Sequence, residues 1–331
     1  MSVFEKLNGP TNETDQYAMF QGVDGVILVS NEHSTRGSNV SEKFKPVLAK
    51  IGIPFEEVIT AVDPAETNRR IIEAHEAMQA KELGNLAIFL ATGDGELGKN
   101  IRTLRELGAY VCSLGAGGSG NHYRSLISAY HRSPRRLLKH GFVVEGSTIK
   151  ANLSNDKGEE DIEAVTTFSV GFTADIAQLV NTEKHRSHKL RKYFPTIAAI
   201  PGGLKAIKES EPFTIIVNDQ EVTTRALMFI KASRFAKIVN ARQVNVDGPI
   251  HRLEQSSRSL TKLSFMLVRL ALKRSPGDDM KEPYSFTLKT DEVFEIDGET
   301  RTIAAGTTIS ITTGETLARI TDRRHRYPSS A

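Results

Sequence analysis

An aspartate between two glycines is the point of the sequence where residue types and spacing best suit chemistry. The apolar run Leu86–Ala91 predicts a buried strand, residues 92–95 a tight turn, and the segment up to Leu107 a helix. Free N–H groups at the start of such a helix, with the positive end of its dipole, can bind a phosphate. Asp94 adds a carboxylate of the kind that Mg²⁺ prefers. An ordinary strand-to-helix turn would look the same, since Gly-Asp-Gly is expected by chance in roughly one such chain in ten.

Two further loops follow predicted strands in the same half of the chain. Residues 31–38 follow the strand at 25–30 and include Arg36, which suits a phosphate contact as well as a solvated connection. Residues 115–121 are rich in glycine and follow the strand at 109–114. Ligands bind beyond the carboxyl ends of parallel strands, so the three loops should converge on one crevice. The chain has no Walker-type Gly-Lys-Ser/Thr and no Gly-x-Gly-x-x-Gly at its first helix.

Strands and helices alternate through the first half of the chain. Residues 55–61 read as a strand, and Asp63-Pro64 supplies a capping residue and a first-turn proline for the helix that follows. Alternation of this kind predicts a three-layer α/β nucleotide-binding domain with a mostly parallel sheet. We place it at residues 22–133, after a polar lead-in over residues 1–21.

From about Pro134 the pattern changes to short alternating or β-branched runs separated by turn residues. The runs are 142–145, 147–153, 162–170, 213–217, 223–230, 284–288, 293–296 and 307–312. They predict a mainly antiparallel β-sandwich domain at residues 134–320, followed by a basic tail at 321–331. Whether the last strands return to the first domain is left open.

Composition bounds the class of protein. At 331 residues two domains are expected, and a formal net charge of +3 gives no argument for nucleic acid as a partner. The single cysteine, Cys112, excludes an internal disulfide and fits a reducing compartment. We find no basic-then-apolar signal pattern and no apolar run of about 18 residues, so we expect a cytoplasmic protein.

Two basic segments of the second half could meet a membrane. The apolar residues 260–273 have basic neighbours, which fits a peripheral membrane helix and, slightly better, a core helix with solvated cationic ends. Residues 184–192 form the densest basic run, usually a solvated face but able to contact anionic headgroups. His185 and His188 within it lack a cysteine or carboxylate to complete a zinc site.

Several short segments, taken in order, match the signatures of one family over roughly residues 22–318. They are Asn31-Glu-His-Ser34, Thr92-Gly-Asp-Gly-Glu96, Gly118-Ser-Gly-Asn121, Ser169-Val-Gly-Phe-Thr-Ala174, Lys192-Tyr-Phe with Leu204-Lys-Ala-Ile207, Asp247-Gly248 and Glu295-Ile-Asp-Gly-Glu299. On these the chain resembles the diacylglycerol kinase catalytic-domain family, which includes bacterial soluble lipid kinases and the sphingosine and ceramide kinases. The resemblance implies a nucleotide-binding α/β domain joined to a β-sandwich that carries a lipid site.

The chain departs from the family pattern at four positions. Glu96 replaces a threonine, His122 and Thr173 each replace an aspartate, and Lys99 stands where a glutamate is common. A negative Glu96 at a phosphate-binding helix start should repel the phosphate unless it binds magnesium or is turned away. The departures therefore predict an altered substrate, altered metal use or weak activity.

The resemblance also implies roles for individual residues. ATP phosphates would be bound by the two loops that carry the first two signatures, with Asp94 acting through Mg²⁺, and the third signature would contact the nucleotide. Glu299 would be the base for the acceptor hydroxyl, and Asp297 a metal ligand or alternate base. From the residues alone, Asp297-Gly298 is more often a hairpin turn. The implied nucleotide-binding residues are Asn31, Ser34, Arg36, Thr92, Gly93, Asp94, Gly95, Gly118, Ser119 and Asn121.

The leading interpretation is an ATP-dependent lipid kinase that transfers the γ-phosphate to a hydroxyl of a diacylglycerol-like or related lipid at a membrane surface. An NAD kinase-like enzyme is the alternative, since it shares the Gly-Asp-Gly turn, but its Thr-Pro-Thr-Gly-Ser-type segment is missing. A catalytically weak nucleotide- or lipid-binding module is favoured by the four departures. An α/β protein unrelated to kinases fits least well, and a homodimer is left open.

Overall fold

The structure is a computed structural model that describes residues 23–31, 35–61, 63–114, 142–181, 211–232, 234–235, 239–240, 248–255, 261–262, 277–280 and 283–321. The chain divides into two compact units. The first comprises Met1–Gly146 together with Thr316–Ala331, and the second comprises Ser147–Glu315.

The first unit alternates strands and helices. Its elements are β1 (Gly25–Ser30), α1 (Thr35–Ile51), β2 (Phe55–Ile59), α2 (Pro64–Gln79), β3 (Leu86–Ala91), α3 (Asp94–Glu106) and β4 (Tyr110–Ser113). The strands are parallel in the order β2-β1-β3-β4. The end of the last strand of the chain lies parallel to β4, where Arg319 pairs with Val111.

Burial explains why these strands read as unbroken apolar runs. Every residue of β1, β3 and β4 is buried, as expected for parallel strands that are covered on both faces. Helix α2 packs so closely on β1 that a Cβ added at Gly25 would lie 2.4 Å from Met78 Cε. In register, Ser30 pairs with Ala91 and Leu90 with Ser113, so β1, β3 and β4 end at the same edge of the sheet.

The second unit is built mainly from antiparallel strands. They are β5 (Phe142–Asn155), β6 (Gly158–Ala164), β7 (Thr167–Gly171), β8 (Phe213–Val217), β9 (Gln220–Thr224), β10 (Ala226–Ile230), β11 (Arg234–Phe235), β12 (Val239–Asn240), β13 (His251–Gln255), β14 (Asp278–Asp279), β15 (Tyr284–Leu288), β16 (Glu292–Ile296), β17 (Glu299–Ile303) and β18 (Thr308–Thr321). Helix α4 (Phe172–Asn181) follows β7 directly.

Two sheets of this unit share one hydrophobic core. The six-stranded sheet has the order β14-β13-β10-β7-β16-β17 and is antiparallel throughout. Its inward-facing side chains, such as Phe168 and Phe294, cluster with Phe213 on β8 and Phe286 on β15. These two strands are neighbours in a different sheet. Parallel and antiparallel strands together with a second, antiparallel sheet agree with the predicted pairing of an α/β domain and a β domain.

Several strand predictions differ from the structure. The runs 162–170 and 223–230 were each expected to be one strand. Instead, β6 ends at Ala164 and β7 begins at Thr167, while β9 ends at Thr224 and β10 begins at Ala226. The runs 142–145 and 147–153 form the single strand β5, and the last strand extends beyond residue 312 to Thr321. Neither Val165 nor Thr166 is a turn-forming residue, so no local signal marks the break between β6 and β7.

Several predicted features lie outside the described residues. They include the boundary near Pro134, the basic run 184–192 and all of the segment 260–273 except residues 261–262, which are helical. Among the helices that the structure describes, none is long and apolar enough to cross a membrane.

Candidate functional site

The start of α3 lacks a capping side chain. Strand β3 ends at Ala91, Thr92 is buried, and Gly93 is the N-cap residue with extended backbone angles (φ −84°, ψ 169°). Glycine has no side chain to accept a hydrogen bond from the first N–H groups of the helix, and no side chain among the described residues caps it. At the start of α2, by contrast, Asp63 Oδ1 accepts a hydrogen bond from Ala65 N at 3.0 Å. The first turn of α3 therefore offers its N–H groups to an outside acceptor such as a phosphate.

The structure brings two of the three predicted nucleotide loops to one sheet edge. Asn31 follows β1 and is half-buried, and Thr92 follows β3, with Gly93 and Gly95 half-buried at the start of α3. The third loop starts after Leu114, whose N–H donates to Leu90 O at 2.8 Å. Residues Ser34, Gly118, Ser119, Asn121 and His122 lie outside the described residues, as do the side chains of Arg36 and Asp94.

Glu96 lies along its own helix. Asn100 Nδ2 donates to Glu96 Oε1 at 3.2 Å and to Glu96 O at 2.6 Å. Asn100 is fully buried, and no group in the described part of the chain bonds its Oδ1. This contact one turn further along directs the Glu96 carboxylate away from the helix start. The sequence analysis missed Asn100, although its spacing of four residues from Glu96 is a known signal for such a pair.

In the second unit, Asp297 and Gly298 form the two-residue turn between β16 and β17. Both have positive φ angles, +49° and +94°, as a type I′ hairpin requires. The hairpin interpretation of Asp297-Gly298 is therefore confirmed. Glu299 is the first residue of β17, pairs with Ile296 and is exposed.

Asp297 is fixed on the turn between β6 and β7. Its Oδ2 accepts a hydrogen bond from Val165 N at 2.7 Å. Its Oδ1 accepts from Thr166 N at 2.7 Å, from Thr166 Oγ1 at 2.6 Å and from Thr167 N at 3.1 Å. Asp297 N in turn donates to Thr167 O at 3.0 Å. The residue is only 5% exposed, so nearly all hydrogen bonding of its carboxylate is to these protein groups.

Glu295 is a second buried carboxylate on the same hairpin. Thr167 Oγ1 and Gly298 N donate to its Oε1, and Ser169 Oγ donates to its Oε2 at 2.9 Å. Burial, and then the neighbouring charge of Asp297, raise the pKa of Glu295 to about 7. The sequence analysis gave Glu295 no role. Alternation along the strand places it on the face opposite Phe294 and Ile296, where an acidic residue is ordinarily exposed, so the sequence carried no sign of its burial.

A magnesium site cannot be assembled from what the structure describes. Among the described residues, no group of three or more His, Cys, Asp or Glu side chains could hold a metal ion. Three donors to Oδ1 and one to Oδ2 already use most of the acceptor capacity of the Asp297 carboxylate. The metal roles predicted for Asp94 and Asp297 both stay predictions, and the side chain of Asp94 is not described.

Comparison with known proteins adds a likeness of fold. No family model matches the sequence, and no curated protein matches it. Three solved structures from Bacillus anthracis str. Sterne match it, two of them provisionally named diacylglycerol kinases and one named a diacylglycerol kinase. The first is 16% identical, with a TM-score of 0.59, over 90% of this chain and 98% of its own. The second is 16% identical with a TM-score of 0.60, and the third 15% identical with 0.59; each covers 93% of this chain and 99% of its own.

This chain shares their fold. The likeness covers both units, because at least 90% of the chain is aligned. At 15–16% identity it shows the architecture and leaves the chemistry to be argued from the residues.

Proposed function

We propose that this protein is an ATP-dependent lipid kinase that phosphorylates a hydroxyl of a diacylglycerol-like or related lipid. The observation that carries the proposal is the uncapped start of α3, directly after a buried parallel strand. A helix start of this kind can bind phosphate, and the chain shares the fold of proteins named diacylglycerol kinases; both support the proposal. The Glu96 carboxylate, held by Asn100, is directed away from that helix start, which lessens the conflict that the sequence raised.

In the proposed reaction, the N–H groups at the start of α3 bind phosphate oxygens of ATP, with Asn31, Ser34 and Arg36 contributing from the loop after β1. The loop at residues 118–121 contacts the nucleotide. Mg²⁺, when bound, would neutralise charge on the transferred phosphoryl group, and Asp94 is its proposed ligand.

Glu299 is the proposed general base. It takes the proton of the acceptor hydroxyl while the hydroxyl oxygen bonds to the γ-phosphorus and the bond from that phosphorus to the β,γ-bridging oxygen breaks, releasing ADP. An exposed carboxylate at a strand end can reach a substrate, which the buried Glu295 and Asp297 cannot do without a rearrangement.

The test is phosphate transfer from labelled ATP in the presence of Mg²⁺ and extracted lipids, followed by partition of the products. We expect label in the organic phase, lost in both Asp94→Asn and Glu299→Gln. The matched controls are Asp63→Asn, which keeps a good cap at the other helix start, and Glu159→Gln, an exposed glutamate near another hairpin turn. Both controls should retain full activity.

The other outcomes identify the alternatives. Label on NAD instead of lipid would support an NAD kinase-like enzyme. Binding of ATP or lipid without turnover would support a catalytically weak binding module, which the departures at His122 and Thr173 favour. Full lipid kinase activity in Glu299→Gln would reject the role of Glu299 while leaving the activity established.

A further inference from the structure

The strand that carries Glu299 begins directly at a hairpin turn. In the described residues β17 is an edge strand of the six-stranded sheet and pairs only with β16. Glu299 is its first residue and follows the hairpin turn at Asp297-Gly298 directly, so the turn sets the position of Glu299. Whatever fixes this turn also fixes the proposed base.

The turn is held from two sides by buried acidic side chains. Asp297 accepts four hydrogen bonds from Val165, Thr166 and Thr167, and returns one from its own N–H to Thr167 O. Gly298 N donates to Glu295, which Thr167 and Ser169 hold on β7. Every one of these contacts lies within the second unit, and none of them needs a ligand.

We propose that Asp297 is a positioning residue, whose carboxylate fastens the β16–β17 hairpin to the β6–β7 turn and thereby sets the position of Glu299. The role rests on the proposed function, because it requires Glu299 to act on the acceptor hydroxyl. It replaces the metal-ligand role that the family resemblance implied for Asp297. Its chemical basis is that one carboxylate satisfies three backbone N–H groups of a turn that contains no turn-forming residue.

Asp297→Asn is the first variant. The asparagine amide has one oxygen, which can accept the hydrogen bonds that now go to Oδ1. Its NH₂ group then lies where Oδ2 was and faces Val165 N, which is also a donor, so that hydrogen bond is lost. We expect kcat to fall roughly 10- to 100-fold because the base is displaced. The KM for ATP and the Mg²⁺ concentration for half-maximal activity should stay unchanged. A rise in that Mg²⁺ concentration would overturn the proposal, because a metal ligand, and not a positioning residue, would produce it.

Thr166→Val is the second variant, in case Asp297→Asn does not fold. It removes only the hydroxyl that donates to Asp297 Oδ1 at 2.6 Å and keeps the branched side chain. It should also lower kcat, but by a smaller factor than Asp297→Asn does. The control is Asp291→Asn, since Asp291 Oδ1 accepts from Ala305 N at 2.7 Å at another, exposed turn of the same unit. Equal loss of kcat in Asp291→Asn would overturn the proposal.

A double variant tests whether Asp297 acts through Glu299. If it does, Asp297→Asn combined with Glu299→Gln should be no slower than Glu299→Gln alone. If the fold-loss of kcat in the double variant equals the product of the two single fold-losses, Asp297 acts independently of Glu299 and the proposal is overturned.

Hydrogen–deuterium exchange separates failure of this proposal from failure of the proposed function. Amides 165–167 and 298–300 should exchange faster in Asp297→Asn than in the wild-type chain, whether or not the chain turns over. Unchanged exchange would overturn the fastening itself. Faster exchange with unchanged kcat would overturn the positioning role while the lipid kinase stands. A wild-type chain without lipid phosphorylation would reject the proposed function and with it the role of Glu299.

Discussion

Glu295 and Asp297 are two residues apart, but their partners suit different protonation states. Asp297 receives four donors, which need an ionised carboxylate, whereas Oε2 of Glu295 faces only the hydroxyl of Ser169. A protonated Oε2 could donate to that hydroxyl instead, because the position of a hydroxyl hydrogen adapts to its partner. Burial raises the pKa of Asp297 as well, but the hydrogen bonds from Thr166, Val165 and Thr167 oppose that rise. We therefore infer that Glu295 takes up a proton first as the pH falls.

This gives a pH-dependent stability prediction for Glu295→Gln. The pKa of Glu295 is raised from 4.5 to about 7 in the folded chain, so the folded state holds its proton where the unfolded state has lost it. Stability from this residue is therefore greatest below the unfolded pKa and falls as the pH rises to about 7. The neutral glutamine avoids that loss. We expect the variant to match the wild-type chain near pH 4.5 and to be more stable at pH 8 by as much as about 3 kcal/mol.

Urea unfolding of both chains at the two pH values measures this difference. Glu159→Gln, an exposed substitution in the same unit that keeps Glu295, should lose stability between the two pH values as the wild-type chain does. A variant that is less stable than wild type at pH 8 would mean that the ionised Glu295 carboxylate stabilises the fold.

Glu96 is the residue at which stability and phosphate binding should oppose each other. A negative charge in the first turn stabilises α3, and the same charge disfavours an anionic ligand there. Glu96→Gln keeps an acceptor for Asn100 Nδ2 and removes the charge. We expect the variant to lose about 0.3–1 kcal/mol of stability and to bind ATP roughly fivefold more tightly. Thermal unfolding and calorimetric titration with ATP measure the two effects, and unchanged or weaker ATP affinity would contradict the prediction.

At the scale of elements, the first unit contains two helix starts of opposite design. Asp63 caps α2 with its own side chain, and Pro64 follows at the first helical position. The N-cap residue of helix α3, Gly93, has no side chain that could cap it, and no other described side chain does so. A helix start that serves only stability gains from a cap, so the missing cap at α3 is what a binding role requires.

The roles of the two helix starts can be tested by removing the cap of α2 and adding a cap to α3. Asp63→Ala should lower the free energy of unfolding by about 1 kcal/mol and leave ATP binding unchanged. Gly93→Ser supplies a capping hydroxyl at ordinary backbone angles and should stabilise the chain by a few tenths of a kcal/mol. It should also weaken ATP binding, since its hydroxyl competes for the N–H groups. Calorimetry with ATP decides the matter, and full ATP affinity in Gly93→Ser would place the phosphates elsewhere.

The elements that the sequence predicted correctly are those whose determinants are local. The strands Gly25–Ser30 and Leu86–Ala91 and the start of α2 at Asp63-Pro64 follow from runs and caps within a few residues. The break between β6 and β7 was missed because its backbone donors are satisfied by Asp297, 131 residues away from Thr166. Local patterns cannot show a turn whose stabilising group comes from so far along the chain.

At the scale of the whole molecule, the last strand belongs to both units. Residues 308–315 of β18 lie in the second unit and residues 316–321 in the first, where Arg319 pairs with Val111. Such pairing across more than 200 residues carries no periodic signal, which is why the sequence left the return of the last strands open. The ordered motifs nevertheless predicted a fold that the comparisons found at 15–16% identity.

The proposed lipid substrate predicts how the whole chain should behave at a membrane surface. A formal net charge of +3 is too small to hold a chain of 331 residues on anionic vesicles by overall charge. Binding must then come from a local basic segment. Of the two candidates, residues 184–192 and 260–273, only the second also has the apolar residues of a peripheral membrane helix. Each basic residue near the surface contributes roughly 1 kcal/mol, and that contribution is screened by salt.

We therefore expect sedimentation with phosphatidylglycerol-containing vesicles that decreases steeply as salt rises, and little sedimentation with phosphatidylcholine alone. Changing Lys262, Arg269 and Lys273 to Glu should abolish it. A control with Lys43, Lys50 and Lys157 changed to Glu alters the net charge equally on exposed positions elsewhere, and should keep most of the binding. Equal loss in both variants would mean that overall charge drives binding. Salt-insensitive binding, or none, would reject a membrane role for residues 260–273 and leave the core-helix interpretation of that segment.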